Sequence, residues 1–283
     1  MGLNKIKIIR NLSRIEMLQL VRSTKIIILT LFVIFINIQI ITPLRELSVL
    51  MESKISVFEP FIAVGNSGII VLILPLFFIT MMADYPREGG SQYFYQIRCS
   101  KRTWIVGQVV YAIESSIALT LFVFTASVLL ALNFIDKSPY YSYAVTKYAA
   151  VYPERAGEYV VQLIPENLYN QVLLKTSMLH TAILLILYFI MLALIILVFS
   201  LLKKKIIGIL LDAFLIVMGG IACASRTSYM WFLPMAHTIT WLHYEKYQSE
   251  QIMPLSYSYI YFIVINTILV VLSIVMSKRY HSI

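Results

Sequence analysis

Six stretches of this chain stay apolar for about the length of a membrane crossing: residues 26–42, 61–83, 104–134, 178–202, 206–224 and 257–276. A bilayer core takes about 20 apolar residues in helical form, with ~17 as a floor. The first and fifth stretches lie near that floor. The third, at about 30 residues, must tilt or protrude. The runs are unbroken rather than alternating, which points to helices and not to the strands of a barrel. The expected fold class is an all-α polytopic membrane protein, a single transmembrane domain over 1–283 with six transmembrane helices.

The intervals between these stretches are patterned too. In residues 1–25, Ile8, Leu12 and Ile15 fall at i, i+4 and i+7 with Arg10 and Arg14 roughly opposite. That spacing predicts an N-terminal amphipathic helix lying in the headgroup layer. It is too long and polar for the start of a signal peptide, and Ile6 stands where a myristoylation motif needs Ser or Thr. Between the second and third stretches, Asp84, Arg87, Glu88, Arg98, Lys101 and Arg102 bracket a short amphipathic core, SQYFYQI. Two to five residues suffice to turn a helical hairpin, so a helix-sized polar loop at 84–103 reads as a docking surface. The loop at 135–177 is rich in tyrosine and reads either as a folded cap with an aromatic belt or as a lid that contacts substrate. The loop at 225–256 is broken by Pro234 and too short to span. It reads as a re-entrant or interfacial helix pair anchored by Trp231, Phe232, Trp241 and Tyr244.

Composition agrees with a membrane protein. The chain is 60% apolar and 13% charged with a mean hydropathy of +0.82, whereas soluble domains are about 25% charged. With the N-terminus inside, residues 1–25, 84–103, 203–205 and 277–283 hold most of the 23 Lys and Arg but only Glu16, Asp84 and Glu88 among the acids. Basic residues gather on the cytoplasmic side, so both termini are expected there, in a cell membrane and most simply a bacterial one. The same asymmetry accounts for the net charge of +9 through lipid attraction, without nucleic acid. Cys99 and Cys223 fall on opposite sides in this topology, so no disulfide joins them.

The chain lacks a Walker loop, HExxH, G-x-S-x-G and any clustered Cys/His set. No catalytic residue, bound cofactor or metal site is expected. His180, His237, His243 and His281 are scattered, and His237 and His243 read as solvated or capping residues. Three ionisable residues fall inside the apolar runs. Glu114 lies about ten residues past Trp104, near mid-membrane at ~1.5 Å per residue. Asp212 lies in the inner half of the fifth run, and His180 in the outer part of the fourth, at the wrong depth to pair with Asp212. A buried charge there costs at least ~2.5 kcal/mol. These groups either line a polar path or hold helices together, with Ser115 and Ser116 as local partners for Glu114. Gly220 and Ala224, with Gly219 beside them, allow close packing within the chain or across a dimer.

The loop after the second stretch carries a further signal. Arg87, Glu88, Gly89 and Gly90 are followed by the apolar core Tyr93 to Ile97, then Ser100, Lys101 and Arg102, then Trp104, Ile105, Val106 and Gly107. This order, with six runs and the basic N-terminal helix, resembles the permeases of ABC-2-type ABC transporters. Gln108 stands where that pattern usually has a basic residue, and Cys99 at a variable position. The resemblance implies a cytoplasmic coupling helix between spans two and three that docks on a separate ATPase subunit. Arg87, Glu88, Gly89, Tyr93, Phe94, Ile97 and Arg98 would make that contact. It further implies a second permease chain, as homodimer or heterodimer, with ATP and Mg bound by the partner subunit and none by this chain. The exported substrate would be an amphipathic or hydrophobic peptide, drug or lipid, with polysaccharide as a rival. Two other classes are a stand-alone channel, sensor or bacteriocin-immunity protein, and a membrane-embedded protease. The protease would need a Glu-Glu pair, which this chain lacks.

Overall fold

The computed structural model describes residues 2–87, 99–245 and 251–276. It is predominantly helical. Five helices are long and apolar enough to cross a membrane, or six if one bent pair counts as a span. The N-terminal helix α1 (Gly2–Val21) precedes α2 (Ile26–Leu50). The apolar pattern ends α2 at 42, yet the helix continues for two more turns. Pro43 lacks an N–H and would clash with the preceding turn of a regular helix. A wider π turn at Asn37–Ile41 accommodates it, and the Thr42 hydroxyl donates to the Asn37 carbonyl at 3.0 Å. Arg45 and Glu46 in the added turns are exposed.

The second apolar run is not one helix, as its hydropathy suggests. It is α3 (Glu59–Asn66) and α4 (Gly68–Met81), bent by 80° at Ser67. Asn66 holds the break. Its amide donates to the Ile62 carbonyl (2.9 Å) and Thr181 Oγ1 (3.2 Å), and its side-chain oxygen accepts from the Thr240 N–H (2.9 Å). The Asn66 carbonyl, freed by the break, accepts from the Trp241 indole at 2.9 Å. A broken helix in an apolar setting survives only when such freed groups are met.

Helix α5 (Lys101–Ala131), capped by Ser100 through the Thr103 N–H, starts one turn earlier than the apolar run. The segment at 135–177 is folded and carries α6 (Tyr143–Val151), α7 (Tyr159–Leu163) and α8 (Glu166–Tyr169). Two short parallel strands, β1 (Ile55–Ser56) and β2 (Ile135–Asp136), join it to the chain ahead of α3. Glu59 clamps this junction: its carboxylate is fully buried and accepts from the Ser56 N–H at 2.7 Å and the Ser142 N–H at 2.6 Å. Tyr148 turns inward and bonds Glu158 at 2.8 Å, so the loop's tyrosines do not all form a surface belt.

Helix α9 (Leu174–Leu201) is the hub. In its apolar window 67% of positions are buried, against 17–39% in the other four long helices, and α5, α10 and α12 pack around it. Helix α10 (Lys205–Ala224) follows directly, then three short helical turns, Ser228–Phe232, α11 (Pro234–Thr238) and Thr240–His243, and finally α12 (Leu255–Met276). Gly219 and Gly220 are used within the chain. A Cβ on Gly219 would lie 2.7 Å from Met235 Cβ, and one on Gly220 2.3 Å from Leu72 Cδ1.

Candidate functional site

The described stump of the polar loop is locked to three helices. Asp84 pairs with Lys25 at 2.8 Å, and Lys25 also donates to the Met81 carbonyl. The Tyr85 hydroxyl donates to the Gln108 carbonyl of α5 at 2.9 Å, and its ring lies 5.4 Å from Tyr111. Lys205, the first residue of α10, donates to the Pro86 carbonyl at 3.2 Å. Arg87 reaches α1, where it donates to Gln19 Oε1 at 2.9 Å and lies 3.9 Å from Glu16. Glu16 in turn accepts from the Gln108 side chain at 3.3 Å. Of the expected docking residues, Arg87 is placed. Glu88, Gly89, Tyr93, Phe94, Ile97 and Arg98 lie outside the described residues.

Helix α1 packs along the first half of α5, which makes this joint possible. Its buried face is Leu12, Ser13, Glu16 and Leu20, not the Ile8–Leu12–Ile15 stripe of the sequence pattern; Ile8 is partly exposed. Gly107 on α5 brings the helices together, since a Cβ there would lie 3.2 Å from Leu12. The polar members of that face were not legible as interior, because the partners of Glu16 (Arg87 and Gln108) and of Ser13 (Glu114) are distant in sequence.

Glu114 belongs to the same seam. It accepts a short hydrogen bond from the Ser13 hydroxyl of α1. Ser115 and Ser116, the local partners expected for it, bond back to the Ala112 carbonyl instead. The helix that Glu114 bonds exposes Lys5, Lys7, Arg10 and Arg14, the pattern of a helix suited to a membrane surface. The 34 residues of Lys101–Phe134 rise about 50 Å, enough to project beyond a ~30 Å core.

Asp212 is different. It is fully buried, and neither carboxylate oxygen has a hydrogen-bond partner among the described residues. It therefore does not tie helices together by hydrogen bonding. The hydroxyl of Tyr188 on α9, also buried, is likewise unpartnered among the described residues. His180 does not join Asp212; its Nδ1 meets the Tyr259 hydroxyl at 2.5 Å. An unmet buried polar group costs about 1–3 kcal/mol. Asp212→Leu is therefore expected to raise the melting temperature of the detergent-solubilised protein. A lowered melting temperature would mean that the carboxyl has a stabilising role.

The sequence pattern misplaced two histidines. His237 and His243 are buried, 3% and 0% exposed, and converge on the hydroxyl of Ser258 at 2.7 and 3.3 Å. The only advance signal was their position in an apolar, tryptophan-flanked stretch. Among the described residues, no group of three or more His, Cys, Asp or Glu is arranged to hold a metal. A cavity of about 180 Å³ lies beside α1 between α2, α4 and α5. Its lining is apolar, including Leu20, Leu29, Phe78 and Phe122, apart from Lys25 and Ser115.

Comparison with protein-family models, with curated proteins and with solved structures finds no match to this chain.

Proposed function

We propose that the chain is the membrane-spanning permease subunit of an ATP-driven exporter of the ABC-2 kind, working as a dimer with separate ATPase subunits. One observation carries this reading beyond the resemblance. The loop that would meet the ATPase leaves the membrane domain through a joint bonded to α1, α5 and α10 at once. A displacement of residues 88–98 reaches Arg87, and through it Glu16 and Gln19 on α1. Through Tyr85 and Pro86 it also reaches α5 and α10. A passive hairpin needs no such connection. Gln108 fits the same role: where the family pattern carries a basic residue, its amide still donates to Glu16.

In this reading the basic segments face the cytoplasm. ATP-driven closure of the partner subunits presses on the loop, and the joint passes the load to the helices around α9. Export of an amphipathic or hydrophobic substrate suits the apolar cavity beside α1, where Lys25 is the one charged lining residue. A stand-alone channel, sensor or immunity protein is the second reading. Asp212, buried and unpartnered among the described residues, favours it, because an intramembrane carboxyl is a common mark of an ion pathway. Affinity purification from membranes in mild detergent separates the two. The exporter reading expects a soluble Walker-motif ATPase to co-purify in near-stoichiometric amount. Purification of the chain alone, under conditions that preserve its own dimer, would overturn it.

A further inference from the structure

His237, Ser258 and His243 form a closed polar cluster inside an apolar, aromatic setting. Ser258, in the first turns of α12, is fully buried. Trp231 lies 4.9 Å from the His243 ring and 5.6 Å from His237, and Tyr261 stacks on His237 at 4.1 Å. Main-chain carbonyls fix how each imidazole is protonated. His237 Nε2 faces the Trp231 carbonyl at 2.9 Å, and His243 Nδ1 faces the Met253 carbonyl at 2.7 Å. A carbonyl only accepts, so these two nitrogens carry the hydrogens. A neutral imidazole has one N–H. The other nitrogens, His237 Nδ1 and His243 Nε2, are therefore both acceptors, and both face Ser258.

One hydroxyl has one hydrogen and cannot serve two acceptors. The shorter contact, 2.7 Å, takes it for His237; at 3.3 Å the His243 nitrogen faces an oxygen lone pair. We propose that His237, Ser258 and His243 form a proton-binding site where the 225–256 segment meets α12, and that it takes one proton at His243 Nε2. The added proton converts the weak contact into a donated bond. An unbroken chain then runs from the Met253 carbonyl through His243, Ser258 and His237 to the Trp231 carbonyl. This inference does not depend on the exporter reading.

Titratable and charged groups stand on the elements packed around the cluster. Helix α9 contributes His180, held by Tyr259. Helix α12 contributes Tyr259 and Tyr261, and the 225–256 segment contributes Tyr244 and Arg226, the latter 5.5 Å over the Trp241 ring. Helix α8 carries Glu166 beside Asn167, which is bonded to the Trp241 and Tyr244 carbonyls. Among the described residues no carboxylate bonds either imidazole of the cluster. Burial accordingly pushes both below the ordinary histidine value, His243 to about 4. The site is unprotonated at neutral pH and fills in acid. The unfolded chain takes up these protons near ~6.5. The folded state therefore keeps its full stability above about pH 6.5 and loses it as pH falls toward 4.

Trp231 provides the readout, because a protonated imidazole in contact with indole quenches its fluorescence. The chain has three tryptophans; Trp104→Phe removes one, Trp241 is kept because its indole holds the Asn66 carbonyl, and Trp231 is the reporter in contact with both imidazoles. Titrated from pH 8 to 3 in detergent, this protein is expected to lose fluorescence in one step, with a midpoint about one pH unit or more below ~6.5. His243→Gln should abolish the step. Ser258→Ala should move the midpoint lower, because the new N–H then loses the Ser258 acceptor, and Ser258→Thr should restore it. Three results would overturn the proposal: no step, a step that survives His243→Gln, or a midpoint indifferent to Ser258→Ala. Should Ser258→Ala fail to elute as a folded species, the His243→Gln and Ser258→Thr titrations decide.

Discussion

Glu59→Ala is expected to be among the most destabilising single substitutions in this chain, at about 3–5 kcal/mol. The carboxylate is fully buried and serves two main-chain donors, the N–H groups of Ser56 and Ser142, at 2.7 and 2.6 Å. Alanine removes both acceptors and leaves two buried N–H groups unmet. Glu59→Gln should cost roughly half as much, since the amide keeps one acceptor but turns its own N–H2 toward the other donor. The effect should be local first. The strand pair Ile55–Ser56 with Ile135–Asp136 loses its clamp, so proteolysis within 135–177 should accelerate before the helices melt. Thermal melting in detergent together with limited proteolysis measures both. Equal melting temperatures for Glu59, Gln and Ala forms would show that the buried carboxylate contributes little.

The second large effect concerns the joint. Arg87→Ala removes the guanidinium from Glu16, which is 8% exposed, and from Gln19. Folding should survive, because Gln108 still donates to Glu16 and α1 remains packed on α5. Coupling should not survive. In the complete complex, transport per ATP hydrolysed is expected to fall roughly tenfold, the scale of a coupling energy of 1–3 kcal/mol. Glu16→Gln should produce a similar loss. The double variant should be no worse than either alone, because both break one connection. Additive losses, or an unchanged transport-to-hydrolysis ratio, would show that Arg87 and Glu16 do not transmit load.

The long helices were legible in the sequence because unbroken apolar runs of this length have few alternatives to a helix in lipid. Their interruptions were less so. Gly65, Asn66, Ser67 and Gly68 form a polar, small-residue interruption within the second run, a visible sign of the 80° bend. What makes Asn66 hold that bend is Thr181 and Thr240, far along the chain, and no local pattern announces such partners. The same reason hid Glu59, whose second donor is Ser142, and the two histidines, whose common partner is Ser258 on the last helix. Glu114 was found by its depth in an apolar run. The partner expected for it was the wrong one: Ser13 on α1 bonds it, while the neighbouring Ser115 and Ser116 bond the Ala112 carbonyl. Polar residues drawn together by packing, rather than by spacing, became readable only once the helices were placed.

The central claim, that the loop after the second apolar run docks on a separate ATPase, is tested most directly by photo-crosslinking in native membranes. A photoreactive amino acid at position 94 is compared with one at position 229, within the 225–256 segment. The account predicts an adduct between position 94 and a soluble protein carrying a Walker motif, increased when nucleotide is supplied, and no such adduct from position 229. An ATPase adduct from position 229, or its absence from position 94 while the protein is folded and inserted, would contradict the account.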